Sequence, residues 1–209
     1  MRIKARVAGA RHAAAMSKRI LILQGHPDPA GDHFGHALAD AYAGAARAAG
    51  HDVQQVQVAT LDFPLLRSKA DWEQGTLPAS LLPAQQAITW CEHLVILFPL
   101  WMGGMPALLK GFLEQVLRPG FALTPAGRGL PKKLLAGRSA RVIVTMGMPA
   151  LIYRWLFRAH SVKALERNIL GFVGFSPVHE TLIGLADGEH EAPRRRALAR
   201  VTALGGRAD

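Results

Sequence analysis

Thiols are almost absent from this sequence: Cys91 is the one cysteine in 209 residues. That excludes a disulfide framework, a CxxC redox pair and a thiolate-rich metal site, so any redox chemistry here needs a bound cofactor. Long apolar runs are missing too. The uncharged stretch 93–109 is interrupted by Pro99, Gly103, Gly104 and Pro106, and falls short of a membrane span. Charge is sparse at 19% against 50% hydrophobic residues, which rules out disorder. Acids are the scarcer sign, 15 against 25 Lys plus Arg, for a formal net charge of +10. Such a balance admits anionic partners: nucleic acid, anionic lipid or phosphorylated cofactors. The excess is scattered, with Arg2, Lys4, Arg6 and Arg11 at the start and Arg194, Arg195 and Arg196 as the only other tight cluster. No basic stripe interleaves with aromatics, so the pattern argues against nucleic acid and for a solvated basic surface.

The first fifteen residues, MRIKARVAGARHAAA, are small, basic and without apolar periodicity. They lack the apolar run of a secretory signal, although a transit peptide shares their composition. Met16 then opens SKRILILQ, as a cytosolic domain often begins. The expectation is a disordered basic extension over 1–15, one domain over 16–209, and a cytoplasmic protein.

From residue 19 onward, strand-like and helix-like segments alternate. Residues 20–23 (ILIL) and 94–98 are short continuous apolar runs, which suit strands buried on both faces. Residues 53–58, 141–145 and 178–183 read as three more strands. Helices are expected over 32–49, ending at Gly50, over 83–92, from Pro106 at its favoured first position, over 149–160 and 162–172, and over 189–203. The alternation predicts an α/β fold with a doubly wound parallel sheet. Ligands in such sheets sit beyond the carboxyl ends of the strands, so the loops after Leu23, Phe98 and Thr145 are where function belongs. Two connections are long, 61–80 and 120–138, a length that usually serves function or an interface.

The first loop reads QGHPDPAGDHFGHAL. A Gly- and Pro-rich turn entering a helix N-terminus exposes backbone amides where the dipole favours an anion such as phosphate. It is neither GxGxxG nor GxxxxGK[ST], which argues against dinucleotide-binding and P-loop readings. His26 ends a strand at the ligand-facing edge and is a candidate contact. His33 and His36 read more simply as surface helix residues, and no carboxylate set completes a metal site.

The second loop, FPLWMGGMPALLKGF, is more specific. With Phe98, Pro99, Leu100, Trp101, Gly104, Pro106 and the following ALLKG, it resembles the flavodoxin-like NAD(P)H:quinone oxidoreductases, the family that includes ancillary subunits of potassium-efflux systems. His26 and Pro27, RPGFA at 118–122 and MGMPALIYRW at 146–155 extend the resemblance over about 19–186. It implies a five-stranded sheet of order 2-1-3-4-5 and a non-covalent flavin, FMN or FAD. The second loop would hold the ring through Pro99, Leu100, Trp101, Met102 and Gly103, offering backbone N–H donors from 99–104. Trp101 and Met102 depart from the commoner family residues.

In the third loop, Thr145, Met146 and Gly147 match the family's turn along the flavin edge. Tyr153 and His160 then match the Tyr and His that approach the ring where negative charge grows as hydride arrives, His160 falling one residue late. On one helix over 149–160 these two share a face. Where relatives hold the phosphate with Ser or Asn, this chain has Gly31, Asp32, His33 and Gly35. A carboxylate beside a phosphate is unfavourable, so Asp32 is expected to cap the helix while His33 and the Phe34 amide make contacts.

The resemblance implies two-electron reduction of quinones or similar flat acceptors by NAD(P)H, with hydride passing to the flavin and on in a ping-pong cycle. It also implies a homodimer whose contact includes the 120–138 loop. A regulatory ancillary subunit bound to a membrane transporter, a peripheral membrane association and an electron carrier are the alternatives.

Overall fold

The computed structural model describes residues 17–125, 127, 129–187 and 191–209; the expectation for 1–15 lies outside the described residues, as does Glu189. In chain order the elements are β1 (Arg19–Gln24), α1 (Phe34–Ala48), β2 (Asp52–Gln57), α2 (Lys69–Gln74), α3 (Leu82–Trp90), β3 (His93–Pro99) and α4 (Ala107–Val116). They continue with β4 (Ser139–Thr145), α5 (Ala150–Trp155), α6 (His160–Ala164), a π-helical stretch (Leu165–Leu170), α7 (Gly171–Val173), β5 (Val178–Ile183) and α8 (Glu191–Arg207). All four strand pairings are parallel and the order is β2-β1-β3-β4-β5.

Strand alternation sorts the core into two layers. Ile20, Ile22, Val95, Leu97 and Ile143 face α1 and α8, where Leu38, Tyr42, Val201 and Leu204 meet them. Leu21, Leu23, Ile96, Phe98, Val142 and Val144 face the other way, onto α3, α4 and the helices after β4. That double burial explains why β1 and β3 read as unbroken apolar runs. β2, at the sheet's edge, carries DVQQVQ and is mostly open to water.

The long connections are ordered by long-range polar contacts. Arg118, buried in RPGFA, donates from Nη1 to the carbonyls of Asp71 (2.6 Å) and Gly75 (2.9 Å), and from Nε to Gln115 O at 3.0 Å. It ties the α2 segment to the end of α4. The 120–138 segment folds back on itself, with Thr124 N–H to Lys132 O and Leu134 N–H to Ala122 O, both 3.0 Å.

The region after β4 departs from expectation. α5 ends at Trp155, Arg158 and Ala159 are left-handed (φ 53° and 49°), and α6 begins at His160. Ala159 donates its N–H back to Tyr153 O at 3.2 Å and buries its methyl, 1% exposed. A small buried residue lets the chain turn here without Gly or Pro. Tyr153 and His160 therefore share no helical face. Cys91 is buried, which pushes its thiol up to about 12 and leaves it unreactive.

Candidate functional site

The carboxyl end of the sheet gathers the three loops. Between β1 and β3 the chain order reverses, which in open α/β sheets opens the ligand crevice. Gly25 sits in that crevice because its N–H reaches Leu97 O at 2.7 Å, and a Cβ there would lie 3.0 Å from the same carbonyl.

The first loop forms a histidine cluster. The His26 and His33 rings stack at 3.9 Å with 19° between planes, and His36 lies 5.5 Å from His26 and 5.8 Å from His33. His26 Nδ1 accepts the Asp28 amide at 3.1 Å, so its neutral ring carries the proton on Nε2. Burial, then repulsion from His33 and His36, lowers the His26 pKa; burial and His33 lower that of His36. Asp28 Oδ1 accepts the Ala30 amide at 2.9 Å and Oδ2 meets His33 Nε2 at 2.8 Å. The amide bond first, and His33 second, hold that carboxyl below its usual range.

Asp32 does not cap α1. The turn at Gly31 (φ 84°) makes His33 the N-cap residue, without a side-chain capping bond, and Asp32 points to solvent 3.7 Å from the His33 ring. No acid stands in the first turn of α1. The His36 amide donates to His33 O at 2.8 Å, so the Phe34 and Gly35 amides are the leading ones that stay open to an outside anion. The Phe34 ring lies 4.7 Å beneath the Arg194 guanidinium, which leaves its amide as the group it offers at this terminus.

Two further residues join this end that the sequence reading missed. Gln24, 4% exposed, spends Oε1 on the His26 amide at 3.0 Å and leaves Nε2 unpartnered, 3.8 Å from where a Gly35 Cβ would lie. His36, read as a surface residue, turns inward with Nδ1 unpartnered and Nε2 3.2 Å from Gln57 Nε2. The i, i+3 spacing of His33 and His36 was the available signal. A hollow of about 350 Å³ opens beside them, lined by Gln24, Gly31, His36, Asp40 and Gln57.

The second loop is a two-residue hairpin. Trp101 and Gly104 exchange backbone hydrogen bonds at 2.9 and 2.8 Å around Met102 (φ 48°) and Gly103 (φ 78°), a type I′ turn. This corrects the expected row of donors from 99 to 104. Pro99 has no N–H, Leu100 donates to Thr145 O at 2.8 Å, and Trp101 and Gly104 are consumed by the turn. Met102 and Gly103 remain, on a fully exposed tip. Trp101 stands edge-on to His26 at 6.0 Å, joining the first two loops.

In the third loop, Met146 is turned into the core, its N–H on Ile183 O and its carbonyl accepting from Ala186. Gly147 lies under the Asp187 carboxylate, which a Cβ would approach to 2.6 Å. Tyr153 is buried with its hydroxyl unpartnered near the Ser161 and Val162 amides, and burial raises its pKa. His160 is exposed, whereas its neighbour Ser161 comes within 3.4 Å of a Gly104 Cβ position. The site as built thus comprises the histidine cluster, the open α1 terminus, the hairpin tip and the buried Tyr153. A larger apolar hollow, about 570 Å³ among Leu113, Leu117, Ile169 and Phe172, lies away from these loops.

The family model described as flavodoxin-like fold matches residues 18–204. The chain belongs to that family. Over 76 residues it is 42% identical to the glutathione-regulated potassium-efflux system ancillary protein KefG of Escherichia coli, a match covering 35% of this chain and 38% of that protein. Smu.1420 from Streptococcus mutans superposes with a TM-score of 0.73 at 26% identity, over 90% of this chain and 98% of that one. The NAD(P)H:quinone oxidoreductase from Methanothermobacter marburgensis gives 0.77 at 21% identity, over 92% and 100%. At that identity the likeness is one of fold.

Among the described residues, no group of three His, Cys, Asp or Glu is arranged to hold a metal, and no helix is long and apolar enough to cross a membrane.

Proposed function

We propose that this protein is a flavin-dependent NAD(P)H oxidoreductase acting on quinones or similar flat acceptors. The observation that carries the reading is the uncapped α1 terminus at the β1/β3 reversal, with stacked imidazoles and the idle Gln24 Nε2 donor turned toward it. These groups fit a phosphate. The α1 amides, His33 and Gln24 would bind it, and Trp101, Met102 and Gly103 would flank a flat ring. The likeness to the NAD(P)H:quinone oxidoreductase supports the same class.

When bound, a flavin supplies reversible two-electron hydride chemistry, for which this chain has no side-chain substitute. The chain's own part is to orient and shield. The Met102 and Gly103 amides would face charge developing on the ring, and Tyr153 would supply a hydroxyl from the opposite edge. Its role and that of His160 belong to the proposal, as do the homodimer and a ping-pong order.

The test is the visible spectrum of the purified protein, taken anaerobically with NADH or NADPH and then a quinone. Bleaching followed by recovery is expected; no flavin after incubation with FMN and FAD overturns the reading. A pH series adds a second readout. His26 and His36 have lowered pKa values in the fold, so apo-protein stability is whole above about 6.5 and is lost as pH falls below it, where the unfolded chain gains protons first. A bound phosphate offsets that loss by pairing with the protonated rings, against the opposing charges of Asp28, Asp32 and Asp40. FMN should therefore raise the melting temperature more at pH 6 than at pH 8, a difference that His36→Gln diminishes.

The KefG match favours a second reading, an ancillary subunit of a membrane transporter. Co-purification with such a transporter, and flavin indifferent to both nicotinamides, would support it.

A further inference from the structure

One residue holds both rings of the stacked histidine pair. Asp28 donates its own amide to His26 Nδ1 at 3.1 Å, and its Oδ1 accepts the Ala30 amide at 2.9 Å. The second oxygen, Oδ2, meets His33 Nε2 at 2.8 Å. The Ala30 amide and His33 keep the carboxyl below its usual range, so it is ionised at neutral pH.

These bonds prepare the two imidazoles differently. His26 accepts on Nδ1, so its neutral ring already carries a proton on Nε2 and can donate without gaining charge. His33 is held the opposite way. A carboxylate only accepts, which fixes the proton of the neutral ring on Nε2 and leaves Nδ1 as a bare lone pair. Nδ1 is then the nitrogen left for a ligand, on the residue directly before the open Phe34 and Gly35 amides. A lone pair repels a phosphate oxygen. His33 can therefore join those amides only once Nδ1 has taken a proton from solvent, and the imidazolium then makes one charge-assisted bond to Asp28 and one to the phosphate.

The groups around the ring direct the charge to it. Asp28 and Asp32, the latter 3.7 Å from Nε2, favour a cation on His33. His26 is stacked on it at 3.9 Å, and burial and then His33 lower its pKa; burial and His33 do the same to His36, against Asp40, Asp28 and Asp32. From α8, Arg194 stands over the Phe34 ring. A second proton on the stack is thus opposed, and one proton is the natural uptake.

We propose that Asp28 is a positioning residue that makes capture of the flavin phosphate proton-linked, the proton being taken up at His33 Nδ1. The assignment rests on the proposed function, which supplies the phosphate.

The experiment is calorimetric titration of the whole apo-protein with FMN, and with riboflavin, which lacks the phosphate, in buffers of different ionisation enthalpy. At pH 8 a phosphate monoester is already a dianion and an imidazole in water is neutral, so a proton gained on binding is gained by the site. FMN should bind with uptake of roughly half a proton or more and lose up to about tenfold in affinity per pH unit above 8, whereas riboflavin should show neither effect. In Asp28→Asn the new amide donates to Nε2, which moves the neutral ring's proton to Nδ1 and makes His33 a donor without charge. That variant should lose the uptake, flatten the pH profile and bind FMN more tightly than the wild type at pH 9. A loop merely damaged by the change would bind more weakly at every pH. His33→Gln should lose the uptake as well, with weaker binding at pH 7. Nitrogen NMR shifts of the flavin-free protein at pH 8 should place the His33 proton on Nε2 in the wild type and on Nδ1 in Asp28→Asn. A wild-type proton on Nδ1, FMN bound without proton uptake, or uptake that Asp28→Asn retains overturns the inference and leaves the proposed function standing. Failure to bind FMN or FAD at any pH overturns the proposed function and the inference with it.

Discussion

Gly103→Val is expected to empty the proposed flavin site while the domain stays folded. The hairpin from Trp101 to Gly104 closes through two backbone hydrogen bonds only because Met102 and Gly103 both take positive φ. Methionine already bears a left-handed cost of about 1–2 kcal/mol at its position, and glycine bears none at the next. A β-branched residue at φ 78° adds a larger penalty, and no neighbour lies within 4 Å of a Cβ there, so the effect is one of backbone strain alone. The turn must open, which moves the Met102 and Gly103 amides, the only ones between 99 and 104 left free for a ligand. Flavin affinity should fall at least about tenfold, or about 1.4 kcal/mol. Melting of the apo-protein should change little, because the tip is exposed. Gly103→Asn is the control, since asparagine tolerates the left-handed region and should retain most of the affinity. Wild-type retention of flavin by the valine variant would show that the hairpin is not part of the cofactor site.

Why the hairpin was visible as a motif and opaque as a set of donors is a matter of range. FPLWMGG announces a turn through local chemistry, but which amides remain free depends on Thr145 O and Gly104 O, partners that spacing alone does not reveal. The same division runs through the fold. β1, β3 and β4 were legible because strands covered on both faces need largely apolar runs, whereas β5, at the sheet's edge, is buried only in its second half; the ends of all four agree with the expectation within two residues. α8 extends four residues past the expected end at 203, through Leu204, Gly205 and Gly206, because packing on α1 overrides the two glycines. The break at Arg158 and Ala159 carries no Gly or Pro and rests on the burial of one methyl group. In the candidate site, the position of His26 at the ligand-facing end of β1 was legible from the strand that precedes it. His36 and Gln24 were not, since their importance lies in polar atoms left without partners, and only three-dimensional enclosure creates those. Asp32 was given the cap by its residue type, but the turn at Gly31 moves the helix start past it.

Gly205 and Gly206, adjacent in α8, should respond to alanine with opposite signs. In a helix interior alanine is favoured over glycine by about 1 kcal/mol, a gain that diminishes near the end where these residues lie. At Gly206 nothing lies within 4 Å of an added Cβ, so Gly206→Ala should stabilise by a few tenths of a kcal/mol up to about 1 kcal/mol. At Gly205 the added atom would sit 2.3 Å from Tyr42 O and 3.0 Å from the Tyr42 carbonyl carbon. Those are backbone atoms of α1 and cannot rotate away, so α8 must lift from α1. Lifting it loosens Val201 and Leu204 against Tyr42 and Leu38, and it disturbs the Arg141 to Asp209 ion pair (2.8 Å) at the end of the same helix. Overpacking of this kind costs about 1–3 kcal/mol, enough to exceed the helix-propensity gain, and valine should cost more than alanine. Urea unfolding of the two single variants decides it. Equal midpoints for Gly205→Ala and Gly206→Ala would mean that α8 adapts freely, and that the close approach of the two helices is not what holds this face of the sheet together.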